Sequence, residues 1–132
     1  MFNWETKYAI GHAEVDSQHQ DLIAVMNHLY ELLTSAPRDV NSQAERIINE
    51  LALHVSTHFA YEEDLMVRIG YPTEKIAQHA AIHNDMLAKV QSIVAAHRSG
   101  DARALEDLLP LLYGEWLIDH ICEKDMDFSG YL

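Results

Sequence analysis

The sequence predicts an all-α fold: an antiparallel up-down-up-down four-helix bundle preceded by an N-terminal arm. Three observations carry that expectation. Apolar residues recur at three- and four-residue intervals along four long stretches. Glycine (5) and proline (3) are scarce in 132 residues, which favours long periodic segments over many short strands. The breakers that do occur, Pro37, Gly70 with Pro72, and Gly100, fall between those stretches. Short connections then make neighbouring helices antiparallel.

Residues 1–15, with Trp4 and Tyr8, are expected to pack as an arm on a bundle spanning 16–125, followed by a tail at 126–132. The whole of 1–132 is read as one domain. The first helix, 16–36, carries Leu22, Val25, Met26, Leu29, Leu32 and Leu33, with Asp16 or Ser17 as its cap and Pro37 as its stop. The second starts near Ser42, where Ser42 and Glu45 have capping-box spacing. Its stripe runs from Ile47 through Leu51, Val55, Phe59 and Leu65 to Ile69, and Gly70 ends it. Thr73 is expected to cap the third, whose stripe of Ile76, Met86, Leu87, Val90, Ile93 and Val94 ends before Gly100. The fourth follows Asp101 and reaches about Asp125, with Pro110 and Gly114 predicting a kink or a broken first part.

Charge and composition exclude several classes. With 9 basic against 21 acidic side chains the formal charge is −12, which would repel a phosphate backbone or an anionic membrane. No nucleic-acid partner is expected, and no apolar run is long enough to insert in a bilayer. The start, "MFNWETKYAIG", lacks a basic segment and an apolar core, so no secretory signal is read there. A single cysteine, Cys122, excludes an intramolecular disulfide and reads as a small apolar filler. A cytoplasmic location is the expectation.

Nine histidines stand out in a chain of this length. Helical phase sorts them. His19 is in register with Met26 and Leu33 and faces the core, whereas His28 lies about 180° away and should be solvated. His79 and His83 are one turn apart, about 40° round the helix, on the stripe of Met86 and Val90. His120 sits beside Leu117 and Ile121. His58 shares a face with Leu51, Val55 and Leu65, with Glu62 one turn on, although periodicity also tolerates His54 as inward. Glu63 should point outward, ~140° from His58. His97 belongs near a helix C-terminus, and His12 is expected to be exposed.

Every helix thus aims at least one imidazole inward, together with Glu62 and Asp125. Burying so many polar groups without a metal would leave large desolvation penalties unmet. Five imidazoles and two carboxylates exceed what one tetrahedral zinc can use. Two six-coordinate metals offer twelve positions. If both carboxylates bridge and one oxide or hydroxide is shared, a single position stays open for a small exogenous ligand. Imidazole does not choose the metal, but iron is the plausible redox pair. His120 and Asp125 are five residues apart, about 140° on an ideal helix, which calls for one terminal and one bridging ligand or a distorted last turn.

The order His19, then His58-Phe-Ala-Tyr-Glu62, then His79-Ala-Ala-Ile-His83, then His120-Ile-Cys-Glu-Lys-Asp125 resembles the hemerythrin family in its bacterial single-domain form. "VDSQH", "HFAYEEDLM" and "WLIDH" extend the likeness over nearly the whole chain. The resemblance implies a four-helix bundle around two iron ions in an oxo- or hydroxo-bridged non-haem centre. It implies that His79, His83 and His120 complete one iron, that His19 and His58 hold the other, and that Glu62 and Asp125 bridge. It also selects His58 over His54, and it marks His12 as a departure, since an aliphatic residue is usual there. Reversible dioxygen binding follows as the implied function, serving transport, storage or delivery rather than catalysis. Ile23, Phe59, Trp116, Leu117 and Ile121 are candidates for an apolar wall, and Tyr113, Glu115 and Trp116 for a channel. An oxygen-consuming protein is the candidate recipient, and the expected state is a monomer. Two alternatives stand beside this reading. A sensor would need a separate partner to carry its output. A di-iron oxidase or peroxidase of the ferritin-like kind would use Glu-x-x-His motifs, and the sequence has none.

Overall fold

The computed structural model describes residues 2–35, 40–101 and 103–132. It is a four-helix bundle, with α1 at Ala13–Ser35, α2 at Val40–Arg68 and α3 at Thr73–Arg98. The fourth helix, residues 104–129, changes winding along its length. It opens with a 3-10 turn at Ala104–Asp107 and an α-turn at Leu108–Pro110, runs as a π-helix over Leu111–Asp125, and closes with an α-turn at Met126–Ser129. The break expected near Pro110 is therefore a change from tight to wide winding, and the helix continues past Asp125.

The helix ends show where local chemistry overrides a cap read from sequence. α1 starts three residues earlier than expected, because His12 does the capping: its Nδ1 accepts the Val15 N–H at 3.3 Å. His12 is half-buried rather than exposed. Asp16 instead ties down the approaching chain by accepting from the N–H of Ile10 at 2.8 Å and of Gly11 at 3.3 Å. Ser42 lies inside α2, and Glu45 pairs with Arg98 at 3.0 Å rather than closing a capping box. Thr73 is the first residue of α3 rather than its cap. The Pro37 stop and the expected last residue, Ala36, lie outside the described residues. Gly70 ends α2 with φ +78, its N–H donating to Val67 and that of Tyr71 to Met66. This paired closure uses the left-handed conformation that glycine adopts without strain. Gly100 closes α3 the same way.

The arm is bolted on. Asn27 of α1 accepts the Phe2 N–H at 2.7 Å and donates to the Phe2 carbonyl at 2.8 Å. Tyr8 is buried in the main core. That core gathers Leu22, Met26, Leu51, Phe59, Met86 and Trp116, among others. A second, separate cluster comprises Ile10, Val15, Leu65, Met66, Tyr71 and Phe128. Along each helix the gap between the two falls on polar residues: His19 in α1, His58 and Glu62 in α2, His79 and His83 in α3, His120 and Asp125 in the fourth. The fold therefore sandwiches one buried polar layer between two apolar ones. None of the described helices is long and apolar enough to cross a membrane.

Candidate metal centre

Seven side chains form that layer. His19, Glu62 and Asp125 are 0% exposed, His58, His83 and His120 1%, and His79 4%. His54 is half-buried outside the layer, so the four-residue doublet resolves to His58. His28 is exposed, as phase predicts, and His97 lies in the last turn of α3, as its distance along the helix predicts.

The winding of the fourth helix makes the convergence possible. On an α-helix His120 and Asp125 would diverge, but a π-helix closes i→i+5 hydrogen bonds and stacks residues five apart. The Met126 N–H indeed reaches the Ile121 carbonyl five residues back. Both side chains consequently face inward, and His120 Nε2 lies 3.1 Å from Asp125 Oδ1. The distorted last turn is the alternative that holds, and the distortion extends over 15 residues.

The groups divide into two overlapping sets, in each of which the ligand atoms lie within 4.8 Å of one another. One is Glu62, His79, His83, His120 and Asp125, and the other is His19, His58, Glu62 and Asp125. Asp125 spans both: Oδ1 is 3.0 Å from His79 Nε2, while Oδ2 is 3.2 Å from His19 Nε2. Glu62 Oε1 is 2.7 Å from His58 Nε2 and 3.7 Å from His83 Nε2. The Nε2 atoms of His83 and His120 meet at 2.9 Å.

These distances are short enough for ion pairs, yet most of the contacts fail as hydrogen bonds on direction. Ten buried side-chain nitrogens and oxygens lack a hydrogen-bond partner among the described residues, and all but Trp116 Nε1 belong to this layer. Each such atom costs about 1–3 kcal/mol if left unsatisfied. Lone pairs that converge on common points rather than on donors are what ligands around a cation require. The donor set of imidazole and carboxylate fits iron.

Two residues outside the seven fix the rings. Gln18 donates through Nε2 to Glu14 at 3.1 Å, which turns its Oε1 toward His58 Nδ1 at 2.8 Å. Because Oε1 only accepts, His58 carries its proton on Nδ1 and offers a bare Nε2 to the centre. Glu63 does the same for His83, with Oε2 at 3.1 Å from Nδ1. It therefore reaches back to the site, contrary to the outward direction expected of it. Sequence reasoning missed both. Gln18 sits inside the quoted "VDSQH" but carries no signal of its own.

Burial and the layer's own charges set protonation. Burial drives His58 down to about 4. Burial, reinforced by His120 and His79, drives His83 to about 2. Burial and the charge of Asp125 hold Glu62 well above the ordinary carboxyl range. Burial would raise Asp125 too, but the imidazoles of His120, His19 and His79 against it outweigh that and hold its carboxyl well below the ordinary range. Around the layer, Phe59 stacks on His83 at 3.8 Å and Trp116 stands edge-on to His19 at 5.8 Å. Ile23, Leu117 and Ile121 are buried in the same core. Tyr113 is exposed against Phe2, and Glu115 binds Lys89, so neither meets the layer directly.

The sequence model of the family described as hemerythrin HHE cation binding domain matches residues 11–132. The chain is similar to a bacteriohemerythrin of Clostridium acetobutylicum, 30% identical over 130 residues and covering 97% of this chain and 98% of that protein. It is 29% identical over 126 residues to a bacteriohemerythrin of Stenotrophomonas maltophilia, covering 96% and 78% respectively. A hemerythrin-like protein of Naegleria gruberi is 28% identical over 131 residues, covering 99% and 93%. No solved structure matches significantly.

Proposed function

Because this chain belongs to the hemerythrin family, we propose that it binds dioxygen reversibly at a non-haem di-iron centre, as a carrier, store or donor of the gas. The observation that carries the reading is the pair of overlapping ligand sets sharing Glu62 and Asp125. In it His79, His83 and His120 would hold one iron and His19 and His58 the other, with Glu62 and Asp125 common to both. Two irons there supply the two electrons that reversible dioxygen uptake draws on.

The protein's part is to offer the rings in the right tautomer and to keep the site dry. Gln18 and Glu63 do the first by holding protons on the outer nitrogens of His58 and His83. The second falls to Phe59, Trp116, Leu117 and Ile121, which close the layer from the main core. The side with only two histidines would be the one with room for an exogenous ligand, and Trp116 stands against that side through His19. A five-imidazole set stabilises high-valent iron less than a carboxylate-rich one, which favours binding over oxidation chemistry. The protein is read as a single functional unit over 1–132, working as a monomer.

Metal analysis together with visible spectra of the anaerobically reduced protein, before and after air and again after evacuation, tests this. Two irons per chain and a colour change that reverses on removing oxygen are expected. One tightly held ion, or a change that does not reverse, would overturn it.

A further inference from the structure

A centre this deeply buried needs a way in for its cation, and two clefts between α3 and the fourth helix reach it. One, of about 310 Å³, has His79 in its wall. Its two acids, Glu123 and Asp127, are matched by Lys75 and Lys124, and Asp127 is already engaged by Tyr71 and Lys75. The other, of about 450 Å³, is bordered by His120 and carries Asp85, Glu115, Asp119 and Glu123 against Lys124. Four carboxylates against two ammoniums, Lys124 in the wall and Lys89 at the rim, leave the second the cleft with a net negative charge, which attracts a cation.

Two further observations point the same way. His120 is 1% exposed, its Nε2 faces the buried layer, and its Nδ1 has no partner among the described residues. The cleft therefore ends on a buried imidazole with one unpartnered ring nitrogen. At the rim, Lys89 bridges Asp85 at 3.1 Å and Glu115 at 2.8 Å, from an exposed position. Asp119 and Glu123, by contrast, form no ion pair or side-chain hydrogen bond among the described residues, and both are exposed.

We infer that this acidic cleft is the loading route for the divalent cation, resting on the metal-centre reading above. Asp119 and Glu123 capture the hydrated ion, His120 is the first buried ligand to take it, and Lys89 is a latch that lowers the local negative potential while it bridges the rim. None of the three surface groups is needed to hold the metal once it is inside.

The test is stopped-flow absorption of cobalt(II) uptake by the full chain freed of metal with a chelator. The double variant Asp119→Asn with Glu123→Gln should load about tenfold more slowly at low salt. The deficit should shrink as ionic strength rises toward 0.15 M or so, where screening sets in over ~8 Å. Lys89→Met should load several-fold faster. Final cobalt per chain should match wild type in every case, which separates a route from a ligand. The control pair Asp21→Asn with Glu31→Gln makes the same charge change on α1 and should leave the rate alone. Equal rates for wild type and the cleft variant, or equal slowing by the control pair, would overturn the route. Failure of the wild-type chain to bind cobalt at all would overturn the centre, and the route with it.

Discussion

Gln18 and Glu63 touch the rings of His58 and His83 from behind, at 2.8 and 3.1 Å. Loss of such a partner typically weakens metal binding about 10–100-fold. Gln18→Leu and Glu63→Ala should each show that loss in competition against a chelator. Glu63→Gln keeps an accepting oxygen and should lose much less, so equal affinity of the Ala variant with wild type would remove the positioning role. Protonation gives a second handle at this scale. In the metal-free chain His58 and His83 are buried neutral, and unfolding lets each take up a proton below about pH 6.5. Glu62 works oppositely, since it is buried protonated and unfolding releases its proton above about pH 4.5. Between those limits unfolding gains two protons and loses one. Stability should then fall on acidification by ~1.4 kcal/mol per pH unit, and fall at a similar rate above about pH 6.5, where only the one proton of Glu62 remains. Urea midpoints of the metal-free protein at pH 5, 6.5 and 8 would show a maximum in the middle, and a flat profile would contradict it. His19, His79, His83 and His120 were legible because each keeps phase with its own helix. The choice of His58 over His54 and the place of Asp125 rested on the family resemblance. Gln18 and Glu63 were not legible, because their partners lie 40 and 20 residues away in sequence.

At the scale of elements, α1, α2 and α3 read correctly as helices, and the errors sit at their ends. There a single hydrogen bond, such as that of His12 to Val15, outcompetes a better-looking capping residue. The fourth helix is the instructive failure. Its buried positions are Leu112, Trp116, Leu117, His120, Ile121 and Asp125, recurring every four to five residues rather than every three to four. That wider period was present in the sequence, but a reading that assumes α-geometry spreads the same residues round the helix. The π winding brings His120 and Asp125 onto one face. Two glycine substitutions probe the elements with opposite signs. At Gly114, inside the π-helix, an added Cβ would meet nothing within 4 Å and φ is not positive. Gly114→Ala should stabilise by about 0.5–1 kcal/mol through reduced backbone entropy in the unfolded chain. At Gly70 the space is equally open but φ is +78, so Gly70→Ala should destabilise by about 1–2 kcal/mol. Thermal melts of the two variants in identical buffer decide, and a shared sign would show that backbone conformation is not what separates them.

For the whole molecule, the two apolar clusters are held apart by a layer whose nine unpartnered nitrogens and oxygens oppose burial. An ordinary domain of 132 residues has only about 5–15 kcal/mol of net stability to set against such penalties. Folding and metal binding should therefore be strongly coupled, because the unfolded chain cannot assemble ligands from four separate helices. Mass action sets the scale: metal at a thousand times its dissociation constant adds ~4 kcal/mol to the folded state. In a domain of this size that corresponds to a rise in melting temperature on the order of 10–20 °C. Calorimetry of the chelator-stripped protein against the same protein reloaded anaerobically with iron(II) should show that gap. It should grow with free metal, because only the folded state binds. The acid side adds a directional check. Imidazoles must be deprotonated to coordinate, so the gap should narrow as pH falls from 7 toward 5. Identical melting temperatures with and without metal at pH 7 would mean that the polar layer is satisfied in some other way, and that the fold does not depend on what it encloses.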